Sequence, residues 1–463
     1  MFQIIMAAMM LPCILIVYFI MKDLAKPKGY VVLGATVNAS ILYSSSLEAI
    51  TAKYKRNLRR GLWLLLLLFV PICFIPSFSI AFTFLMVWVM ASVILPMVFF
   101  AQGNIKIQEL KREQGCRMEQ QSLSPKDMET MAAPVAEGPS LWLFLPPLLL
   151  CLIPGIGECI RYDQLESPPW LLLWVTMLSC CLLFFSIAYL SRRTKTQIIS
   201  TKSSVNFDFA KEKKQLLGRF WLLGTWLLAI FTLCLWLLYQ LDSKGTVFLP
   251  FVILYSLLLL LLVFRTWKKY RQLYDSFHEK TISQPFYPED NDKGWIWGLF
   301  YYNPKDPHLL VEERAGMGNT INMGRPAGKV LTILLSLCLL IIPASCVLVT
   351  LNEFTPMRLS IEEHAVTARQ WRQEYRIPLE DIQSVDLIQE LHIQNKLNGS
   401  AVAHKDKGLF RTKEYGRCHL FLINTNQNFL VLTTEEETYL FCDQEEEKTL
   451  QIFEQLQKLI PVS

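Results

Sequence analysis

Val247-Phe-Leu-Pro-Phe-Val-Ile-Leu-Tyr-Ser-Leu-Leu-Leu-Leu-Leu-Leu-Val-Phe264 carries no charge and contains six consecutive leucines. An apolar run of about 18 residues or more reads as a membrane span. Seven further blocks read the same way: Phe2–Met21, Leu62–Pro76, Ile80–Gln102, Leu141–Ile156, Trp170–Leu190, Phe220–Leu241 and Val330–Leu351. Together they explain why a chain of 463 residues is 52% hydrophobic and 18% charged, with a mean hydropathy of +0.31. A soluble domain carries about 25% charge, so a string of soluble domains is excluded. As one helix, Leu62 to Gln102 would reach well beyond the ~30 Å hydrocarbon core, so a hairpin turning near Pro76-Ser77 is expected. Pro146-Pro147 and Pro154-Gly155 predict a kinked fourth span whose freed backbone groups are met by neighbouring helices.

Basic residues near span ends set orientation. The first loop holds Lys22, Lys26, Lys28, Lys53, Lys55, Arg56, Arg59 and Arg60, and the loop after the fifth span is equally basic, with Lys211, Lys213, Lys214 and Arg219. Arg265, Lys268, Lys269 and Arg271 follow the seventh. The alternate loops are poor in them: Pro71–Phe78 is uncharged, and Gly157–Pro169 has one arginine. The alternation predicts eight spans with the N-terminus and the C-terminal region extracytoplasmic. Read instead as a signal peptide, the first block has no basic segment before it. The resulting expectation is 1–264 as seven spans with basic cytoplasmic loops, 265–329 as a cytoplasmic segment, 330–351 as the last span and 352–463 as an extracytoplasmic domain. Asn104–Ser140 reads as a cytoplasmic linker.

The C-terminal domain has 12 basic and 18 acidic residues, net −6, against net +11 for the preceding 351. The positive loops are drawn to anionic lipid headgroups, so the basic balance reflects topology and implies no nucleic-acid partner. Short strands are predicted at Arg358–Ile361, Ile382–Ile388, His419–Asn424, Phe429–Thr433 and Thr438–Cys442, with turns at Asn398-Gly399 and Asn424–Asn428. Asp443 is the expected cap of a closing helix to about Ile460, with Ile452, Phe453, Leu456, Leu459 and Ile460 on its apolar face. Cys418 and Cys442 are expected to be free thiols, kept apart by the Phe429–Thr433 strand. Strands closed by one amphipathic helix follow the order of a pleckstrin-homology-like barrel.

Two stretches carry resemblances. Arg376-Ile-Pro-Leu-Glu-Asp-Ile-Gln-Ser-Val-Asp-Leu-Ile, Gly408-Leu-Phe, Phe429-Leu-Val-Leu-Thr-Thr and Tyr439-Leu-Phe resemble a bacterial pleckstrin-homology domain over about 100 residues. The basic phosphoinositide cup of its eukaryotic relatives has no counterpart here. Trp295-Ile-Trp297-Gly298-Leu-Phe300-Tyr301-Tyr-Asn303-Pro304-Lys-Asp306-Pro307, followed by Arg314, Gly316, Gly318, Asn322 and Arg325, resembles the cytoplasmic box of a bacterial family of multi-pass membrane proteins of uncharacterised function. Some of those relatives share features with the immunity and signalling membrane protein of a sporulation-delaying toxin system. Their external loop carries a Pro-His-Asn-Gly segment, whereas Tyr162–Pro169 is shorter here and lacks the histidine.

The box is too rich in turn-formers to be a helix. Asn303-Pro304 and Asp306-Pro307 predict successive turns, because Asn and Asp bond their own backbone and the residue before proline avoids the α region. Gly316 and Gly318 imply backbone that a Cβ would forbid. Two readings stand: a preformed loop recognising a ligand or partner through Arg314 and Arg325, or a structural lid with its aromatics at headgroup level.

Motifs for chemistry are sparse. Gly324–Lys329 lacks the spacing of a phosphate loop, and the six histidines have no metal-ligand spacing. No C-x-x-C pair occurs. Neither catalytic, cofactor nor metal residues are assigned, and the expectation is a non-enzymatic protein. Charge is nearly absent from the spans, and Glu158, Arg161 and Asp163 fall in the expected external loop, which argues against ion-coupled transport. The expected architecture is an α-helical polytopic membrane protein of about eight spans with a C-terminal β-rich domain closed by one helix. The expected function is sensor, scaffold or immunity-type regulator, with the bilayer as one partner, a protein or peptide ligand outside and a protein partner inside. The alternative is a small-solute transporter or channel.

Overall fold

The computed structural model describes residues 2–115, 138–160, 169–192, 194, 200, 202–241, 248–279, 292–402 and 404–460. Apolar composition dictates the helices: α1 (Phe2–Asp23), α3 (Ser45–Ile72), α4 (Phe78–Glu113), α5 (Leu145–Ile160), α6 (Pro169–Ser191), α7 (Ser203–Leu241), α8 (Phe248–Glu279) and α9 (Pro326–Phe354), with a single-turn α2 (Ala39–Leu42) between the first two. Among the described residues, six helices, α4 to α9, are long and apolar enough to cross a membrane. That makes the chain a multi-pass membrane protein. In α9, Val330, Ile333, Leu334, Leu337 and Leu340 are all exposed, as a helix facing lipid must be. The hairpin turn falls between Ile72 and Phe78. Near Pro154 the α6 indole of Trp174 donates to the Cys151 carbonyl at 2.7 Å, so a neighbouring helix meets a backbone acceptor about one turn before the proline.

Some expectations need correction. Helix α4 continues to Glu113, into the segment read as a linker, and α8 continues to Glu279. Glu158 is not in a loop: it lies on α5 and is only 1% exposed. Arg161, Asp163 and Tyr162–Ser167 lie outside the described residues.

The chain divides into two compact units: residues 1–73, 87–156 and 172–340 in one, and 74–86, 157–171 and 341–463 in the other. In the second unit, β7 (Arg358–Glu362), β8 (Ala365–Gln370) and β9 (Gln373–Pro378) form a three-stranded antiparallel sheet. A six-stranded sheet follows, built from β10 (Ser384–Ile388), β11 (Ile393–Val402), β12 (Lys405–Thr412), β13 (Gly416–Ile423), β14 (Phe429–Thr433) and β15 (Thr438–Phe441), in the order β10-β14-β15-β13-β12-β11. One core joins both sheets to α10 (Glu446–Leu459): Val366 and Ile377 from the small sheet, Phe421, Leu432 and Phe441 from the large one, Ile452 and Leu456 from the helix.

The five expected strands are β7, β10, β13, β14 and β15. The other four escaped the pattern because β11 and β12 are rich in polar residues and β8 to β9 turns at Trp371-Arg372 without glycine or asparagine. Asn398-Gly399, expected as a turn, lies inside β11 beside a register shift. Gly399 (φ 144°) pairs with Gly408 (φ 112°), and a Cβ on either would overlap the opposite backbone. Asp443 is not the helix cap, which is Glu445; its carboxylate instead accepts from the amides of Leu359, at 2.7 Å, and Glu445, at 2.9 Å. Leu459 is exposed, and Thr449 takes the buried place on the helix face.

Cys418 and Cys442 are free and buried, but for a different reason than an intervening strand. Their strands are neighbours and run parallel, with His419 opposite Tyr439 and Phe421 opposite Phe441. Parallel pairing offsets the two cysteines by four residues, about 13 Å along the sheet at ~3.3 Å per residue. A disulfide needs Cα atoms ~5.5–6 Å apart. Burial pushes the Cys442 thiol up to about 12, which keeps it inert.

Residues 352–463 expressed alone should give a single cooperative melt. Leu456 is 0% exposed, so Leu456→Asp would bury a carboxylate at a cost on the order of several kcal/mol. Circular dichroism should show the melt abolished in that variant; a cooperative transition retained near the parent temperature contradicts this packing.

Candidate functional site

The box assembles around one buried amide. β3 (Trp295–Ile296) pairs with β4 (Phe300–Tyr301), and β5 (Leu310–Glu312) with β6 (Asn319–Ile321). Asn322, fully buried, follows β6. Its Nδ2 donates to the carbonyls of Asn303, Asp306 and His308 at 2.9, 3.2 and 3.2 Å. Its Oδ1 accepts from the amides of Asn303 and Gly324 at 3.0 and 2.9 Å. Three carbonyls on one side and two N–H groups on the other fix the orientation of the amide. Asn303 Oδ1 accepts from Lys305 N and Asp306 Oδ1 from His308 N, both at 3.0 Å, which sets Pro304 and Pro307 in two Asx turns. Tyr301 donates its hydroxyl to Asp306 Oδ2 at 3.1 Å. Burial pushes the Asp306 carboxyl up, but hydrogen bonds from His308 and Tyr301 outweigh it and leave the group below the usual carboxylate range.

A second hairpin meets the box from the far end of the sequence. β1 (Val31–Val32) and β2 (Ala35–Thr36) turn at Leu33-Gly34, both at positive φ, the geometry of a type I′ turn. Trp297 and Gly298 also have positive φ. The two tips touch glycine to glycine: a Cβ on Gly34 would lie 2.8 Å from the Gly298 backbone, and one on Gly298 2.6 Å from Asn104 Nδ2. Asn104 in turn donates to the Leu33 carbonyl at 2.8 Å. Gly316 and Gly318 do not adopt positive φ. A Cβ on Gly316 would meet the Glu313 carboxylate, the movable end of a flexible side chain.

Around the hairpins runs a layer of buried charge. Asp292 pairs with Lys111 of α4 and Arg314 at 2.6 Å each, and accepts from the Thr36 amide at 3.1 Å. Arg314 also reaches the Thr36 hydroxyl. Lys213 of α7 pairs with Glu312 at 2.7 Å. Lys28, 3% exposed, donates to the Gly316 carbonyl at 3.1 Å and lies over the rings of Tyr270 and Tyr274 of α8.

Arg314 lies inside the protein, paired with Asp292, with its side chain 9% exposed. Arg325 is half-buried and, among the described residues, makes no side-chain hydrogen bond or ion pair. Trp295 packs on Tyr301 with ring centroids 5.1 Å apart, while Trp297 leans on Phe300 and is half exposed. Sequence reasoning assigned no site role to Lys28, Asn104, Lys111, Lys213, Asp292 and Glu312. Lys28, Lys111, Lys213, Asp292 and Glu312 sit in polar or basic stretches that read as solvated, whereas Asn104 stands alone at the end of an apolar run.

At the other end of α9 the β-rich domain grips the helix terminus. Lys405 Nζ donates to the carbonyls of Glu353 and Thr355, both at 2.7 Å. Gln370 Nε2 donates to those of Asn352 and Thr355 at 3.0 and 2.6 Å, and Lys407 to Asn352 Oδ1. Cations and donors here satisfy carbonyls that a helix end leaves open and oppose its negative pole. The Glu353 carboxylate accepts from Ser77 Oγ and the Ser79 amide, both at 2.7 Å, at the start of α4. Burial, with Lys405 adding repulsion, lowers the Lys407 ammonium to about 8.

The architecture is that of a multi-pass membrane protein with a C-terminal pleckstrin-homology domain. Residues 357–457 match a family model described as "Bacterial PH domain", and residues 304–329, within the box, match "Family of unknown function (DUF5808)". No curated protein and no solved structure matches the chain.

Two predictions follow from these contacts. Asn322→Ala strands five backbone groups, and should destabilise the box by about 2–3 kcal/mol or more; hydrogen exchange in the full-length protein should then accelerate across Asn303–Gly324, and unchanged protection contradicts the hub. For Lys407, a folded pKa of about 8 lies below the ordinary value near 10.4. The unfolded chain thus binds more protons between those values, and stability from this group rises with pH across that window. In the 352–463 domain, wild type should gain stability relative to Lys407→Gln from pH 8 to 10 in urea titrations; a constant difference contradicts it.

Proposed function

We propose that the chain is a non-enzymatic membrane sensor or regulator. In this reading the pleckstrin-homology domain is extracytoplasmic and engages a protein or peptide, and α9 passes occupancy to the box and to a cytoplasmic protein partner. The observation that carries it is mechanical. α9 is one helix of 29 residues, about 43 Å at 1.5 Å per residue, rooted at its start in the Asn322 hub and gripped at its end by Lys405, Lys407 and Gln370. The Gly328 backbone lies so close to the Asn322 carbonyl that a Cβ would overlap it, so a rotation of the helix is felt by the box. Sidedness rests on the basic helix ends: Lys28, Lys111 and Lys213 all enter the box layer, whereas the turn at Ser77 is uncharged.

Two measurements test this. Alkaline phosphatase fused after Ser463 should be active and a cytoplasm-dependent fluorescent protein dark; the reverse pattern places the domain inside. Lys405→Ala with Gln370→Ala should alter hydrogen exchange across residues 303–324 of the full-length protein, and identical exchange removes the coupling.

A further inference from the structure

Between α1 and α8 lies a cleft of about 380 Å³, within the ~300–1,000 Å³ of ligand sites. Its lining changes character at one level. Phe19 and Phe264, each 52% exposed, mark the last apolar turns of the two helices. Lys22, Lys26, Lys268 and Arg271 follow immediately, and Lys55 reaches in from α3. Asp23 is the sole acid in the lining. It is already engaged by Lys26 at 2.7 Å, Arg271 at 3.1 Å and the Trp267 indole at 2.9 Å. Lys22, Lys55 and Lys268 have no acidic partner among the described residues.

The geometry points to a binding site for one anionic phospholipid, its phosphate among Lys22, Lys55 and Lys268 and its acyl chains along Phe19 and Phe264. The charge complementarity selects the headgroup: five cations face one neutralised carboxylate, and a zwitterionic lipid offers no net charge to balance the excess. The apolar floor selects a lipid over a soluble anion, because a free phosphate gains nothing from exposed phenylalanines. Basic clefts between spans are the usual setting for such lipids, and each lysine near the headgroup plane adds attraction. The inference rests on α1, α3 and α8 alone and stands apart from the proposed sensing role.

The test uses the full-length protein, delipidated in non-ionic detergent and mixed with equal dioleoylphosphatidylglycerol and dioleoylphosphatidylcholine, with adducts counted by native mass spectrometry. Wild type should retain one phosphatidylglycerol preferentially. Lys22→Gln/Lys55→Gln/Lys268→Gln should lower the phosphatidylglycerol-to-phosphatidylcholine ratio by roughly tenfold or more. Arg56→Gln/Arg59→Gln/Arg60→Gln, which removes the same charge from exposed positions of α3, should leave the ratio unchanged. Equal loss in both variants means diffuse attraction and overturns the site, as does no preference in wild type. Displacement of the lipid by millimolar inorganic phosphate also overturns it, in favour of a soluble anion.

Discussion

A single carboxylate holds the basic side of the helical unit together. Asp292 accepts from Lys111, Arg314 and the Thr36 amide, joining the first hairpin, the end of α4 and the box across more than 250 residues of sequence. Membrane insertion leaves several basic helix ends on one side of the protein, and like charges brought together repel. Asp292, with Glu312 on Lys213, converts that repulsion into cross-links. Removing Asp292 would take a carboxylate away from two largely buried cations, Lys111 and Arg314, which costs far more than an exposed ion pair contributes. The Gly34–Gly298 contact needs the same layer, because two backbones approach that closely only where something draws their hairpins together.

Helix α9 presents the complementary problem. Its apolar length leaves backbone groups to be satisfied only beyond the hydrocarbon. At its start Pro326 has no amide to satisfy, as suits a first helical position, and Asn322 organises the loop just before it. At its end two lysines and a glutamine of the β-rich domain take up the carbonyls. A domain that caps a helix in this way is more than tethered to it: movement of β8 or β12 breaks bonds at the helix terminus.

Much of the architecture was legible in the sequence, because hydrophobic runs, alternating strands and turn-formers report local preference. The apolar blocks, the hairpin turn, five strands and the closing helix all follow from such preference, as do the two Asx turns of the box. Strands β11 and β12 were not legible, since Asn, Lys and Asp there owe their strand state to pairing with distant partners. The parallel pairing of β13 with β15 is a topological fact that no local pattern encodes, and it reversed the reasoning about Cys418 and Cys442. The charge layer was hidden for a third reason: Lys28 and Asp292 look like loop residues until tertiary contact removes their water.

The same burial bears on what the box is able to do. Asn322, Arg314 and Asp306 spend their polar groups on the protein itself, and a donor already paired gains little from a ligand. A network this closely paired favours one arrangement and resists others. The groups left open at the rim include half-exposed Trp297 and Tyr302 and the half-buried Arg325.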